Sequence, residues 1–323
     1  MRNAAILLAA AATLCLSHGC ASTESEGDPT DDSVTWPGDT GTVVDAGPAA
    51  KKECVGTGGG SVALLHFGAF SDSQPPGMNM DDDFPTGIVS GIFAGFTRLD
   101  AQFVVGAGDW MFANTLEHAQ KQISLLLEAE SAYRCTVFHA MGNHECMTAS
   151  ASNCPEENES PNVAAYKKML IPFSEHSWFS FEVLTSHGTA RFVFTSTNAW
   201  DDERQGRWLR SVLQKPADYT FVIQHASDYF SGAETPGAAD ALEIARQYPV
   251  TLFIFGHAHL YRRPGPNELI IGTGGGTLNG DGRFHGFAMI DQLPDGNIRA
   301  TVYDTAGRAR DTWTVSPGGD AVD

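Results

Sequence analysis

Five short stretches of the chain carry carboxylate, carboxamide and imidazole side chains close together: Asp72-Ser73-Gln74, Gly108-Asp109, Gly142-Asn143-His144-Glu145, His225 and Gly256-His257-Ala258-His259. These residue types coordinate cations and carry protons. Each stretch follows directly on an apolar, strand-like run. In an open α/β sheet, ligands bind just outside the carboxyl ends of the strands, so the five loops are expected to converge on one site. Taken singly, Asp72 or Asp109 reads as a turn or helix-capping residue; their order and setting reverse that reading.

The elements that must position these loops are legible as runs. Strand-like segments cover Val62 to Phe70, Ala101 to Val105, Thr136 to Met141, Arg191 to Ser196, Thr220 to Gln224, Thr251 to Phe255, Leu269 to Ile271, Gly286 to Asp291 and Ile298 to Asp304. Helical patterns lie between them, at Asn114 to Tyr133, Ala164 to Met169, Gln205 to Leu213 and Ala238 to Gln247. The clearest is the first, where Leu116, Ile123, Leu126 and Leu127 recur at helical spacing. Alternation of the two patterns predicts an α/β domain. No internal repeat is visible.

The net charge of -19 makes the surface repel phosphate backbones, so nucleic acid is not an expected partner. At the N-terminus, Met1-Arg2-Asn3 and the apolar stretch Ala4 to Leu16 have the make-up of an export signal and are too short to span a bilayer. Ser17-His18-Gly19-Cys20 then resembles a bacterial lipobox, with Ser17 where Leu is usual. That resemblance implies a lipid on Cys20 as the one link to the membrane; plain secretion is the alternative. Residues 21–53 form an acidic linker, with much Gly, Pro, Ser and Thr and too little apolar surface to fold. Cys54, Cys135, Cys146 and Cys154 allow two disulfides in an exported chain. Three pairings are open; the short separation favours Cys146 with Cys154, leaving Cys54 with Cys135.

Taken together, the five loops resemble the motif series of the calcineurin-like metallophosphoesterases: Asp-x-His, Gly-Asp, Gly-Asn-His-Glu/Asp, a lone His, and Gly-His-x-His. Gln205-Gly206-Arg207-Trp208-Leu209 is similar to the helix before the fourth motif. Ile271-Gly272-Thr273-Gly274-Gly275-Gly276 is similar to the glycine loop of purple-acid-phosphatase-like members. The resemblance implies a four-layer α-β-β-α sandwich of two mixed sheets, with a catalytic domain over 54–316 and a loose tail at 317–323. It also implies two metal ions (Mn, Fe or Zn), the first held by Asp72, Gln74, Asp109 and His259. The second takes Asp109, Asn143, His225 and His257, so that Asp109 bridges. A hydroxide between the ions attacks the phosphate ester, and His144 stands beside the leaving-group oxygen as general acid. The activity implied is that of a phosphomonoesterase; a phosphodiesterase, or a surface lipoprotein that only binds, are the alternatives.

Two positions depart from the family pattern. Gln74 replaces the His of the first motif and still offers a neutral oxygen. Phe112 stands where purple acid phosphatases carry a metal-binding Tyr and serine/threonine phosphatases an Asp, so a purple ferric centre is not expected.

Other polar residues read as structural. His66, His118, His139, His176 and His187 have no motif around them, and His285 is undecided. Arg262-Arg263 reads as a solvated pair, Asp81-Asp82-Asp83 as an exposed loop tip, and Glu145 as support for its neighbours. The loop from Cys146 to Pro161 is placed to roof the site.

Overall fold

A computed structural model describes residues 53–146, 154, 160–229, 235, 237–280 and 283–322. The segments read as an export signal ending at Cys20 and, Glu53 apart, as an acidic linker lie outside these residues, as does most of the loop from Cys146 to Pro161. In chain order the strands are β1 (Gly60–Ser61), β2 (His66–Phe70), β3 (Val104–Gly106), β4 (Val137–His139), β5 (Phe179–Thr185), β6 (Gly188–Phe194) and β7 (Tyr219–Ile223). They continue with β8 (Leu252–Phe255), β9 (Tyr261–Arg262), β10 (Glu268–Ile271), β11 (Gly286–Gln292), β12 (Ile298–Asp304), β13 (Ala309–Val315) and β14 (Ala321–Val322). The helices are α1 (Thr86–Arg98), α2 (Leu116–Glu130), α3 (Pro161–Leu170), α4 (Arg207–Leu213) and α5 (Ala238–Ala245).

Two mixed sheets result, ordered β14-β13-β12-β11-β2-β3-β4 and β1-β5-β6-β7-β8-β10-β9. Alternate residues of each strand point to opposite faces. In β7, Phe221 and Ile223 join the core between the sheets, while Val222 faces the outer layer with α4 and α5. The inner faces meet through aromatic rings: Phe67 lies 5.1 Å from Phe192 and 5.2 Å from Phe221, and Phe138 stacks at 4.0 Å on Phe181. On the other outer face, Phe93 and Phe96 of α1 pack edge-on against Phe70 and Phe287. This is the four-layer α-β-β-α sandwich expected from the motifs.

The loop-bearing strands are the parallel ones. β2, β3 and β4 run parallel in one sheet, and β6, β7, β8 and β10 in the other. All their carboxyl ends therefore point the same way within each sheet, which puts the following loops side by side. Two disulfides, Cys54–Cys135 and Cys146–Cys154, have the pairing favoured from sequence. Such bonds mark a domain that folds in an oxidising compartment outside the cytosol. No helix among the described residues is long and apolar enough to cross a membrane.

The end of the chain differs from the sequence expectation of a loose tail. It turns at Gly319, with φ at 90°, and β14 pairs with β13 through Val322 opposite Thr314 and Ala321 opposite Val315. The hydroxyl of Thr251 donates to the carbonyl of Pro317 at 2.6 Å, so composition alone understates the order that tertiary hydrogen bonds impose there. Of the run Asp81-Asp82-Asp83, the second and third are exposed as expected, while the half-buried Asp81 carboxylate accepts from His118 and from Gln122 of α2, each at 2.8 Å.

Candidate metal centre

The five loops form one connected floor. As β2 ends, the amides of Asp72 and Ser73 donate to the carbonyls of Gly108 and Asp109, both at 3.0 Å. In the other sheet Gln224 donates to Ile254 at 3.1 Å, and Gly256 to His225 at 2.8 Å. Four of the side chains sit on left-handed backbone: Asp72 at φ 63°, Asp109 at 63°, His257 at 68° and His259 at 52°. This conformation is unfavourable for residues with a Cβ and is held only where the surroundings enforce it, commonly at functional sites. Glycine is required beside them. A Cβ on Gly142 would lie 2.2 Å from Asp109 Oδ1, and one on Gly256 would lie 2.4 Å from Asp72 Oδ2.

All eight residues singled out in the sequence come together. Asp109, His225 and His257 form one group of ligand atoms within 4.8 Å of one another, and Asp72, Asp109 and His259 form a second. Asp109 belongs to both. Asn143 Oδ1 lies 2.9 Å from His225 Nε2 and 3.0 Å from His257 Nδ1, and these two nitrogens are 3.3 Å apart. On the other side, Gln74 Nε2 lies 2.8 Å from His259 Nε2, and His259 Nε2 lies 3.4 Å from Asp72 Oδ1. His144 is tied to the same carboxylate: its amide donates to Asp109 Oδ1 at 2.9 Å, and its Nε2 stands 3.8 Å from Asp109 Oδ2. The edge of Phe112 packs on the His144 ring at 4.3 Å.

Backbone carbonyls orient the imidazoles. His225 Nδ1 meets the carbonyl of Ala107 at 2.8 Å, and His259 Nδ1 that of Thr277 at 2.7 Å. Each ring thus turns its Nε2 inward as the lone-pair donor that a cation needs. Glu145 supports the floor from below. Its buried carboxylate accepts from the amides of Asp109 at 3.1 Å, Trp110 at 2.8 Å and Gly142 at 2.6 Å. Sequence reading gave Glu145 a supporting place without these partners, and it had no means of finding the carbonyls of Ala107 and Thr277, because a backbone group leaves no mark in residue type.

The electrostatics are those of a cation cage. Burial resists charge on Asp109, yet His225 and His144 beside it hold its carboxyl well below the usual range. Burial pushes the Asp72 carboxyl up, against the pull of His259 and His225. For His225, burial disfavours the proton, but Asp109 holds it and raises the pKa to about 9. Burial and the neighbouring His225 push His257 down to about 4.

The donor set fits metal ions. Among the described residues Gln74 Oε1 is buried without a hydrogen-bond partner, and an orphaned buried acceptor is costly unless something positive meets it. The carboxylates of Asp72 and Asp109, the latter shared between the groups, supply charge, and neutral imidazole and carboxamide atoms complete each group.

A model of the calcineurin-like phosphoesterase family matches residues 69–261, which include all five loops. The chain belongs to that family. Among solved structures, this calcineurin-like phosphoesterase is similar to a purple acid phosphatase from seeds of yellow lupin, Lupinus luteus, at 16% identity and a TM-score of 0.57, over 79% of this chain and 54% of the lupin chain. It spans about half the length of that enzyme. It is also similar to a dimetal phosphatase from Danio rerio at 17% identity and a TM-score of 0.50, over 79% of this chain and 99% of the other. At these identities the likeness is one of fold. A comparison with curated proteins finds no match by sequence.

Three of the other histidines make structural contacts. His66 bonds Asp291 and the Leu99 carbonyl, His139 bonds Glu130, and His176 stacks on Trp178. Arg262 and Arg263 are both exposed, as expected of a solvated pair, with one lying over the Tyr229 ring and the other over Trp313 and against Asp311.

Proposed function

We propose that the chain is a phosphomonoesterase dependent on two metal ions, with 54–316 as its catalytic domain. The observation that carries this reading is the pair of ligand groups joined at Asp109. Asp72, Gln74, Asp109 and His259 hold the first ion; Asp109, Asn143, His225 and His257 hold the second. When bound, such ions make water acidic enough to attack at neutral pH and neutralise the charge on the phosphoryl oxygens. Manganese, ferrous iron and zinc all suit the mixed oxygen and nitrogen donors.

The protein's own residues perform the rest. His144 gives a proton to the leaving oxygen. Phe112 fixes its ring by an edge contact in place of the carboxylate partner that serine/threonine phosphatases use. Glu145 locks the second and third loops so that Asp109 and His144 keep their relation. The enzyme is exported and held at the cell envelope by a lipid on Cys20, the linker over 21–53 serving as a stalk.

Turnover of nitrophenyl phosphate against bis-nitrophenyl phosphate by metal-loaded protein tests the reading. Faster release from the monoester supports it. Faster release from the diester makes the chain a phosphodiesterase, and no release from either makes it a binding protein.

A further inference from the structure

Two hollows share His259 in their walls. One, of about 70 Å³, lies between His259 and His144, with Gln74, Phe112 and Thr277 around it. A water occupies roughly 30 Å³ in the liquid, so this hollow holds a few heavy atoms and no organic ring. The second, of about 250 Å³, also touches His259 and is walled by Leu260, Tyr261, Leu278 and Phe284 together with the polar Thr273, Asn279 and Arg283. It is smaller than the roughly 300 Å³ at which pockets for drug-sized molecules begin, which suits a single ring system and excludes a folded partner.

Two of its rings are held by contacts of their own. The Tyr261 hydroxyl donates to Asp311 at 2.5 Å, and its ring lies 6.0 Å from that of Phe284. The Arg310 guanidinium covers Phe284 at 4.9 Å. Rings presented this way favour stacked or edge-on contact with another ring, and a pre-formed wall lowers the entropy lost on binding. Arg283 has no ion pair among the described residues and leaves a cation at the rim of a strongly acidic protein.

On the basis of the proposed phosphatase reading, we infer that this second cavity is a subsite for the organic part of the ester, and that the preferred substrates are phosphate esters of a planar, ring-bearing alcohol. The phosphoryl group lies by Gln74 and His259, and the ring passes over His259 to rest against Tyr261 and Phe284.

The test compares phenyl phosphate with ethyl phosphate on the wild-type protein and two variants. Leu278→Trp fills the cavity from a half-buried loop position, and Phe284→Ala removes one wall. A single well-placed apolar contact is worth roughly 10- to 200-fold in discrimination. Each variant is therefore expected to raise KM for phenyl phosphate about tenfold or more, with kcat/KM for ethyl phosphate unchanged. A parallel loss on both esters, or none on either, overturns the subsite while leaving the phosphatase reading intact. If the wild-type protein hydrolyses neither ester, the phosphatase reading itself has failed and the subsite falls with it.

Discussion

Gln74 and His259 face each other across the first ligand group, with Gln74 Nε2 at 2.8 Å from His259 Nε2 and Gln74 Oε1 buried without a partner among the described residues. The carboxamide thus occupies the place where the family pattern has an imidazole, its Nε2 turned to His259 and, at 3.4 Å, to Asp109 Oδ2, so its oxygen meets a cation once the amide group turns over. Gln74→His should tighten zinc at the first position, because imidazole is the better ligand for borderline metals. Gln74→Ala should weaken it by about tenfold or more, as loss of one donor does. Competitive chelator titration reads both; equal zinc affinity in all three proteins would remove Gln74 from the ligand set.

Glu145 accepts three backbone amides from two loops. Glu145→Ala leaves these donors buried and unpaired, at about 1–3 kcal/mol each before relaxation, so a net loss of roughly 3–5 kcal/mol of stability is expected. Denaturant unfolding measures it. A change below about 1 kcal/mol would show that water replaces the carboxylate at no cost.

Among the described residues His144 has no carboxylate partner beyond Asp109, and its ring packs against Phe112. His144→Ala should lower kcat by about 10²- to 10⁴-fold on esters with poor leaving groups. On nitrophenyl phosphate, whose leaving group needs no proton, the loss should be much smaller. Equal losses on both would assign His144 to coordination or folding instead of proton transfer.

Strand β2, which leads into Asp72, is anchored at its other end by His66, whose two ring nitrogens face the Asp291 carboxylate and the Leu99 carbonyl. Burial opposes protonation of His66, but these acceptors outweigh it and raise the pKa above 6.5. Burial likewise opposes charge on Asp291, yet His66 and Arg299 hold its pKa below 3.8. The raised His66 contributes stability in full below its unfolded pKa and loses it as pH rises through the folded value. The lowered Asp291 contributes above its unfolded pKa and loses it as pH falls through the folded one. His66→Leu should therefore destabilise more at about pH 5.5 than at about pH 8.5, as read by urea midpoints. The reverse order would mean that His66 is held neutral.

Much of this was legible before any coordinates. The five loops stand out because parallel strands end where chemistry is done, and ligand-type residues such as Asn143 and His257 follow apolar runs directly. Less legible was α1. Gly87, Gly91 and Gly95 lower its helix propensity, and the helix forms because Val89, Ile92, Phe93 and Phe96 pack on the first sheet. Strand β5 was overlooked although Phe179, Phe181 and Val183 alternate cleanly with exposed Ser180, Glu182 and Leu184. The tail was misread because its order rests on the side chain of Thr251, distant in sequence.

Covalent linkage adds a separate expectation. The Cys54–Cys135 bond closes a loop of 81 residues, worth about 4.5 kcal/mol in the chain-entropy account. Replacing both cysteines by Ser should lower stability by roughly 2–5 kcal/mol with the metal groups intact. Unfolding with and without reductant checks this, and no change on reduction would show that the denatured chain is not constrained by the bond.

The most direct measurement is metal content of the purified wild-type protein and its Asp109→Asn variant, taken together with phosphate release from nitrophenyl phosphate. Asp109 is the residue common to both ligand groups, so the wild type should hold close to two ions per chain, while the variant loses at least one of them along with most of its turnover. A wild-type chain that takes up no metal, or a variant that keeps full metal and full activity, would contradict the account.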